Sequence, residues 1–301
     1  MFRSGFACFV GRPNAGKSTL LNAIVGSKVA ITSSRPQTTR RAIRGIVTRE
    51  DAQLIIVDTP GMHRPRTLLG ERLNAEVQET LASVDVIGLC LPANEAIGPG
   101  DRFIAQQLPT HVPVMAVLTK VDTVSKDVVA QRLVDIAAFG ADIDREWSDI
   151  VPVSASRGEH VQTVVDCFIQ HLHEGPLLYP AGELTDEPVE IAVAELIREA
   201  ALEGVQDELP HSIAVVVEEM GPREDRPADR PLTDVYANIF VERDSQKAIV
   251  IGKGGARLKQ VGSKARRGIE HLLGTPVFLD LRVKVAKDWQ RDPKQLRRLG
   301  F

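Results

Sequence analysis

The sequence predicts an α/β domain with a mostly parallel sheet and helices on both faces, followed by a smaller α+β domain. Three observations predict this organisation. Apolar strand-like runs alternate with helical periods through the first half of the chain. A glycine-rich loop joins the first predicted strand to the first predicted helix. A second glycine loop lies within an α-β-β-α-α-β order of elements further along.

Hydrophobic periodicity places the elements of the first domain in order. Strands are expected at 6–10, 43–47, 53–57, 84–91, 114–118 and 150–153, and helices at 18–25, 69–81, 101–108, 126–138 and 161–172. Buried-type strands that alternate with helices are typical of a parallel sheet covered on both faces. A turn-rich stretch with Gly175, Pro176, Pro180 and Gly182 follows. We therefore expect a first domain over residues 1–174, a linker over 175–186 and a second domain over 187–301.

The length and composition are those of a globular protein with two cores. The chain has 301 residues, of which 43% are hydrophobic and 26% charged. Cys8, Cys90 and Cys167 are far apart, so neither a disulfide framework nor a cysteine metal site is expected, and a reducing cytoplasm is the simplest location. No apolar run reaches the ~18 residues of a membrane span, and no cleavable signal precedes the first glycine loop, so no integral membrane segment is expected.

The charge is distributed unevenly. The net charge is −3, yet residues 243–301 hold 15 Lys and Arg against 5 Asp and Glu, while residues 1–242 hold 22 against 35. A basic C-terminal region indicates a polyanionic partner, although a solvated basic helix face would give the same count.

The first glycine loop reads Gly-Arg-Pro-Asn-Ala-Gly-Lys-Ser between a strand and a helix, which is the setting of a phosphate-binding loop. Gly11 and Gly16 allow several N–H groups to converge on one anion at the positive end of a helix. Lys17 is expected to reach the terminal phosphates and the Ser18 hydroxyl to bind Mg²⁺. The predicted phosphate-binding residues in this stretch are Gly11, Arg12, Pro13, Asn14, Ala15, Gly16, Lys17, Ser18 and Thr19.

A polar stretch over residues 33–42 follows the first helix and has no apolar period, so it is expected to be a loop. In this position a nucleotide-dependent switch supplies a second hydroxyl to Mg²⁺. Thr38 and Thr39 are both candidates, with Thr39 favoured; the alternative is an ordinary surface loop.

Asp58 and Gly61 follow the apolar strand expected at 53–57. An Asp at the carboxyl end of a buried strand beside the phosphate loop can hold Mg²⁺ through a water, and a nearby Gly can offer its N–H to a γ-phosphate. We therefore add both residues to the predicted phosphate and metal site.

Two further motifs stand at strand ends. In Thr119-Lys120-Val121-Asp122, the Asp122 carboxylate can accept both the N1–H and the 2-amino group of guanine, which adenine lacks, and the Lys120 stem can lie over the base. The stretch Ser154, Ala155 and Ser156 can offer backbone N–H to the guanine O6. The four motifs together predict a guanine nucleotide site.

With these motifs the sequence resembles the translation-factor class of GTPases. That class usually has Asn where this chain has Thr119, so base specificity is expected to rest on Asp122. Met62 follows Gly61 where many GTPases have Gln, and an apolar side chain cannot polarise water, so slow intrinsic hydrolysis is expected. His63 is a weak candidate for a substitute base, since a solvated role beside Arg64 and Arg66 is the more common one. The resemblance further implies a K⁺ ion seated against the phosphates by Asn14.

The second domain is predicted to contain helices at 189–203, 245–251 and 258–272 and strands at 213–217, 235–241 and 277–285. A Gly-Lys-Gly-Gly loop between the last two helices resembles that of the type II KH domain, in which such a loop clamps single-stranded RNA. Few aromatic residues accompany the basic ones, so shape, hydrogen bonds and charge must do most of the binding. The predicted RNA-binding residues are Ile249, Ile251, Gly252, Lys253, Gly254, Gly255, Arg257, Lys259 and Lys264.

A GTPase domain with Gln37-Thr38-Thr39-Arg40 in its switch loop, followed by one KH domain, resembles the Era-like family along essentially the whole chain. The resemblance implies a cytoplasmic, monomeric GTPase that uses Mg²⁺, binds the 3′ end of 16S rRNA and acts in 30S ribosomal subunit assembly. It also implies peripheral membrane contact. Two alternatives stay open: a switch GTPase whose basic region grips a protein or membrane surface, and a constitutive RNA-binding module whose nucleotide pocket only stabilises the fold.

Overall fold

The computed structural model describes residues 1–33, 38–62, 65, 67–205, 209–224, 226–227 and 229–301. The chain forms two compact units. The first comprises Met1–Pro65 and Gly70–Asp186, and the second comprises Glu187–Phe301 together with residues 66–69.

The first unit alternates strands and helices. Its strands are β1 (Arg3–Val10), β2 (Ile43–Thr48), β3 (Ala52–Asp58), β4 (Val86–Pro92), β5 (Val114–Thr119) and β6 (Ile150–Pro152). Its helices are α1 (Lys17–Val25), α2 (Leu68–Ser83), α3 (Pro99–Gln107), α4 (Lys126–Asp142) and α5 (Val161–Gln170), with the first two residues of α2 grouped with the second unit.

The six strands form one sheet in the order β2-β3-β1-β4-β5-β6. Every neighbouring pair is parallel except β2 with β3, which are joined by a short turn and run antiparallel. The carboxyl ends of β1, β3, β4 and β5 therefore open onto the same edge of the sheet, where ligands bind in folds of this class. The expected mostly parallel sheet is confirmed.

Alternate residues of the strands face two separate cores, as expected for a sheet covered on both faces. Helices α1 and α5 pack on one face, where Phe9 and Phe168 lie with ring centroids 5.4 Å apart. Helices α2, α3 and α4 pack on the other face, around residues such as Val10, Leu89 and Phe139. Both faces of β3 and β4 are buried, which explains their continuous apolar sequences.

The segment 175–186, expected to be a linker, lies on the first unit. The buried amide of Gln53 accepts hydrogen bonds from the N–H groups of Leu178 and Tyr179 and donates to the carbonyl of Tyr179. The Ile46 N–H donates to the Leu184 carbonyl over 2.9 Å. Because the backbone polar groups of this segment have partners on β2 and β3, it is fixed to them rather than extended into solvent.

The second unit consists of α6 (Val189–Leu202), α7 (Leu209–Ser212), β7 (Ala214–Pro222), β8 (Thr233–Val241), α8 (Asp244–Ile251), α9 (Ala256–Leu273), β9 (Val277–Val285) and α10 (Pro293–Arg298). Strand β8 is central, antiparallel to β7 and parallel to β9, with a bulge in β7 between Val217 and Glu219. Helices α6 and α9 cover one face of this sheet and form its core with residues such as Ile197, Ile239 and Ile269.

The expected α-β-β-α-α-β order is therefore present, with two short additions that the sequence analysis missed. Helices α7 and α10 have four and six residues, too short to show a period. Within the described part of the chain, no helix is long and apolar enough to cross a membrane.

Candidate functional site

The first glycine loop connects the end of β1 to the start of α1, at the edge where the parallel strands end. Gly16 caps the helix with φ 95°, a left-handed conformation that favours glycine. At Gly11, an added Cβ would lie 2.8 Å from the carbonyl oxygen of Cys90, so only glycine lets the loop approach β4 this closely. The loop therefore presents the amino end of α1 to solvent, as anion binding requires.

A cleft of about 370 Å³ lies above this loop. Fourteen residues line it: Pro13, Asn14, Gly16, Lys17, Ser18, Thr19, Ile31, Thr32, Ser33, Thr38, Thr39, Gly61, Glu95 and Lys120. They include most of the residues that the sequence analysis assigned to phosphate binding, and Lys120 from the base motif. The phosphate loop, Thr38 and Thr39, Gly61 and the Lys120 of the base motif therefore meet in one cleft.

The ammonium group of Lys17 is held inside the loop. Its Nζ donates to the carbonyl oxygens of Gly11 at 3.1 Å and Arg12 at 3.0 Å, and the side chain is 6% exposed. Burial lowers the pKa of Lys17, and the nearby Asp58 carboxylate partly offsets this effect. Both of these hydrogen bonds go to neutral carbonyl oxygens, and a phosphate anion placed against the ammonium group would favour its charged form.

Three side-chain oxygens converge where Mg²⁺ was expected. The Ser18 Oγ donates to Asp58 Oδ2 over 2.5 Å, and the Thr39 Oγ1 lies 3.0 Å from Ser18 Oγ and 3.2 Å from Asp58 Oδ2. Burial raises the pKa of Asp58, against the opposing effect of Lys17. Of the described residues, none gives the buried Asp58 Oδ1 a hydrogen-bond partner. These hard oxygen donors and the unsatisfied buried carboxylate oxygen fit a Mg²⁺ ion.

Both switch-loop candidates, Thr38 and Thr39, lie at the cleft. Of the two, Thr39 is buried beside Asp58. The expected preference for Thr39 agrees with this geometry. Gln37 lies outside the described residues, as do His63, Arg64 and Arg66.

Gly61 lies directly against the phosphate loop. A Cβ added to it would be 3.0 Å from the backbone nitrogen of Pro13, so a larger residue would separate the two segments. The next residue, Met62, is 6% exposed and packs in the core below the sheet edge. Its side chain is therefore not available to orient a water molecule, as the sequence analysis expected.

The base motif is tied to the phosphate loop. The Thr119 Oγ1 donates to the Ala15 carbonyl oxygen over 2.6 Å, and Thr119 is 3% exposed. The sequence analysis treated Thr119 as the loss of an amide that binds the base; the structure shows that its hydroxyl connects two loops of the site. Lys120 follows with φ 57°, which turns the chain toward Asp122.

The Asp122 carboxylate is held by two hydroxyl groups. Ser154 Oγ donates to its Oδ1 over 2.7 Å and Ser156 Oγ donates to its Oδ2 over 2.9 Å. The hydrogen bond from Ser154 is the main cause that lowers the pKa of Asp122. The N–H of Ser154 donates to the Glu159 carbonyl, so of the three N–H groups proposed for the guanine O6, those of Ala155 and Ser156 remain.

The assignment of Arg12 to phosphate binding needs a correction for its side chain. Its Nε donates to Asp101 Oδ1 over 2.8 Å, and its Nη1 lies 3.0 Å from Glu95 Oε2. The guanidinium therefore faces two carboxylates that follow β4, and only the backbone of Arg12 belongs to the loop. The role of Asp101 and Glu95 as partners of Arg12 was not expected from the sequence, because neither residue belongs to one of the four nucleotide motifs.

In the second unit, the Gly-Lys-Gly-Gly loop joins α8 to α9. Gly252, Gly254 and Gly255 have φ of 73°, 59° and 79°. A Cβ added to Gly252 would lie 2.7 Å from Cβ of Arg257, whereas one added to Gly254 or Gly255 would meet nothing within 4 Å. The loop is therefore folded by left-handed glycines and has open space around its outer residues.

Apolar and basic side chains flank this loop. Ile249 is 51% exposed, which is unusual for an isoleucine, and Ile251 is partly buried. Lys253 and Lys259 are exposed. An exposed apolar residue beside an open glycine loop fits a groove for an unstacked base.

Two of the predicted RNA-binding residues have partners within the second unit. Arg257 Nη2 donates to the carbonyl oxygens of Glu203 at 2.7 Å and Ala201 at 3.3 Å, and Lys264 pairs with the Glu203 carboxylate. Arg257 thus satisfies the carboxyl end of α6, where unpaired carbonyls and the helix dipole favour positive charge. We therefore assign Arg257 a structural role, whereas Lys264, whose side chain is 42% exposed, stays a predicted RNA-binding residue.

Comparison with known proteins agrees with this geometry. The family model described as "50S ribosome-binding GTPase" matches residues 6–120, and the KH domain model matches residues 208–290. GTPase Era of Streptomyces coelicolor is 67% identical over 301 residues, covering 99% of this chain and 95% of that protein. GTPase Era of Mycobacterium tuberculosis is 62% identical over 304 residues, covering 100% and 99%.

Solved structures match over the full length. A crystal structure of Era in complex with MgGDPNP and nucleotides 1506–1542 of 16S ribosomal RNA has a TM-score of 0.94 and 36% identity, covering 100% of this chain and 99% of that one. A variant of Aquifex aeolicus Era bound to GDP·AlF4⁻ has a TM-score of 0.93 and 36% identity, covering 99% of both chains. With the phosphate cleft, the base motif and the KH loop in place, the chain belongs to the Era family of GTPases.

Proposed function

We propose that this GTPase is a nucleotide-dependent switch that binds the 3′ end of 16S rRNA through its KH domain and acts in the assembly and maturation of the 30S ribosomal subunit. The observation that carries the proposal is the pairing of two sites in one chain. One is the cleft in which Ser18, Thr39 and Asp58 converge, and the other is the open Gly-Lys-Gly-Gly loop. The similar Era structure that holds MgGDPNP and 16S rRNA supports the same pairing.

The residues of the cleft have distinct proposed roles toward GTP. Lys17 neutralises charge on the β- and γ-phosphates, and the Gly61 N–H faces the γ-phosphate. The Ser18 and Thr39 hydroxyls hold Mg²⁺ directly and Asp58 holds it through water. When bound, the metal ion neutralises charge that develops on the phosphate oxygens. Asp122 accepts the N1–H and 2-amino group of guanine, and Ser154 and Ser156 keep its carboxylate ionised and oriented.

Asn14 is proposed to seat a K⁺ ion against the phosphates. It lines the same cleft as Lys17 and Ser18, and its backbone is held at φ 64°. A second cation at this place would stabilise charge in the transition state, since Met62 is buried and cannot orient the attacking water.

We propose that GTP binding and RNA binding are linked. Thr39 can bond to Asp58 and Ser18 only while the loop before β2 is ordered, and loss of the γ-phosphate and Mg²⁺ would release that loop. If the two nucleotide states differ in RNA affinity, RNA must by linkage change GTP affinity by the same factor.

We propose the functional division that the sequence predicts: GTP binding in residues 1–174, a connecting segment over 175–186, and RNA binding in residues 187–301. We propose that the chain acts in the cytoplasm, because ribosomal subunits are assembled there. We also propose that it acts as a monomer. Peripheral membrane contact stays a prediction from the family.

The test measures binding of a labelled RNA copy of the 16S rRNA 3′ end to the full chain. Gly254→Asp and Gly255→Asp place a negative charge in the open loop, and we expect each to weaken RNA binding at least about tenfold, or ~1.4 kcal/mol. Gly274→Asp is the matched control, because Gly274 is also exposed, with φ 65° and open space around it, at the far end of α9.

Each alternative has its own outcome in this experiment. Unchanged RNA binding in Gly254→Asp would show that the glycine loop does not hold the RNA. It would favour the alternative in which the basic region binds a protein or membrane surface. Unchanged RNA binding in Lys17→Ala would favour a constitutive RNA-binding module. Equal RNA affinity with GDP and with a non-hydrolysable GTP analogue would exclude the proposed coupling.

A further inference from the structure

The side chain of Arg12 links the phosphate loop to the segment after β4. Its Nε donates to Asp101 Oδ1 over 2.8 Å, and its Nη1 contacts Glu95 Oε2 at 3.0 Å. Asp101 lies in the first turn of α3 and Glu95 in the turn before it. One guanidinium therefore holds two carboxylates that come from a single neighbouring segment.

The Arg12–Asp101 pair is built into the fold rather than added at the surface. Asp101 is 1% exposed, and its second carboxylate oxygen accepts the Gly98 N–H over 2.9 Å. A Cβ added to Gly100 would lie 2.9 Å from Cδ of Arg12, so the arginine stem packs directly on the first turn of α3. Because the Asp101 carboxylate is buried and accepts a hydrogen bond at each oxygen, it fixes the position of the Arg12 guanidinium, whose side chain is 28% exposed. Without Arg12 the buried carboxylate would lose its charge partner.

Arg12 also carries the backbone groups that set the rest of the cleft. Its carbonyl oxygen accepts hydrogen bonds from Lys17 Nζ at 3.0 Å and from the Ala15 N–H at 3.2 Å. The backbone nitrogen of the next residue, Pro13, is the atom that a Cβ on Gly61 would approach to 3.0 Å. A shift of Arg12 would therefore move both Lys17 and the surface on which Gly61 rests.

The acidic partners have an electrostatic consequence as well. Glu95 lines the cleft, where a carboxylate repels a triphosphate. Pairing with Arg12 offsets part of the negative charge of Glu95, while Asp101 holds Arg12.

We propose that Arg12 is a positioning residue for the γ-phosphate side of the site, clamped by Asp101 and Glu95. The clamp holds the peptide between Arg12 and Pro13 so that Lys17 and Gly61 meet the γ-phosphate together. The base side has a further support that the clamp does not supply, the hydrogen bond from Thr119 to the Ala15 carbonyl. This inference rests on the proposed roles of Lys17 and Gly61.

The test compares Asp101→Asn with Asp142→Asn in the full chain. Asp142 pairs with Arg102 of the same helix α3, but that pair is exposed, with side chains 45% and 57% accessible. Affinities for GDP and for a non-hydrolysable GTP analogue are measured together with GTP turnover at saturating substrate. For Asp101→Asn we expect GTP turnover to fall about tenfold or more, as small misplacements near the reacting group do. GDP affinity should fall less than affinity for the GTP analogue, because GDP lacks the γ-phosphate that Lys17 and Gly61 meet together. Asp142→Asn should match the parent in all three.

Glu95→Gln is the second variant, since Glu95 is exposed and the buried pair stays intact. We expect the same pattern with a smaller fall in turnover, about threefold. If Asp101→Asn does not fold, the GTP turnover of Glu95→Gln alone tests the clamp. Equal loss of GDP and GTP-analogue affinity, or unchanged turnover in the folded variants, would overturn the clamp. A parent protein that binds no guanine nucleotide would instead contradict the nucleotide site itself.

Discussion

The hydroxyl of Thr119 donates a 2.6 Å hydrogen bond to the carbonyl oxygen of Ala15, and both residues are almost completely buried. This bond joins the end of β5, which carries the base motif, to the middle of the phosphate loop. The two halves of the nucleotide site are therefore held in one arrangement before a ligand arrives, and binding need not supply the cost of ordering them.

Replacing Thr119 by Val should weaken binding of GDP and GTP about tenfold. The substitution keeps the shape but leaves the buried Ala15 carbonyl without its donor, which costs on the order of 1–3 kcal/mol. Titration with a fluorescent guanine nucleotide checks this. Thr119→Ser retains the hydroxyl and should bind like the parent. Thr80→Val removes a comparable hydroxyl, bonded to the Glu76 carbonyl within α2, and should leave affinity unchanged. Equal affinity in Thr119→Val would contradict the tether.

The sequence predicted the order of the elements and the four nucleotide motifs, because periodicity and loop chemistry are local properties. It did not predict the bond from Thr119 to Ala15, which are 104 positions apart, or the bond from Arg12 to Asp101, which are 89 positions apart. It also did not predict that Arg257 bonds to carbonyl oxygens at the carboxyl end of α6 or that Lys264 pairs with the Glu203 carboxylate, because charge alone does not show which group a cation faces. Contacts between distant segments depend on packing, which no local pattern records.

Asp122→Asn should change the base preference from guanine to xanthine. The Asn amide presents a donor where the carboxylate accepted two hydrogen bonds, and xanthine has a carbonyl at the position of the guanine amino group. We expect GTP affinity to fall about a hundredfold or more, because the bond to the 2-amino group is replaced by two facing donors and the bond to N1–H loses its charge, where charge-assisted bonds are worth ~1.5–3 kcal/mol each. Competition between GTP and xanthosine triphosphate for the variant is the measurement. Asp135→Asn, at a surface carboxylate bonded to Gln131 and Arg132, is the control. Retained guanine preference would contradict the assigned role.

Gln53→Leu should destabilise the chain and release the segment 175–186. It would leave the Leu178 and Tyr179 N–H groups and the Tyr179 carbonyl without partners at a fully buried side chain. We expect a loss of ~2–4 kcal/mol in the free energy of unfolding and faster proteolysis within 175–186. Urea unfolding and limited proteolysis test both effects. Gln131→Leu removes only an exposed bond to Asp135 and should change neither.

Stability should fall as the pH rises above the ordinary thiol pKa of about 8.5. Burial raises the pKa of Cys90 to about 12 and raises that of Cys8 further. The folded chain then binds more protons than the unfolded chain above pH ~8.5, so the contribution present at lower pH is lost as pH rises toward 12. Urea unfolding between pH 8 and 10 measures the slope, which Cys90→Ala should reduce. A slope unaffected by Cys90→Ala would show that other groups cause the pH dependence.

Replacing K⁺ by Na⁺ at constant ionic strength should slow GTP turnover while leaving GDP affinity nearly unchanged. Asn14 lies at the phosphate end of the cleft with Lys17, and a cation held there acts on charge that grows only during hydrolysis. Asn14→Ala should remove the dependence and turn over GTP equally slowly in both salts. Asn74→Ala, on α2 and away from the cleft lining, should keep the K⁺ response of the parent. Because the two salts screen charge alike, a difference between them must come from a site that selects by ion size. Equal turnover in K⁺ and Na⁺ for the parent would contradict a role of Asn14 in ion binding.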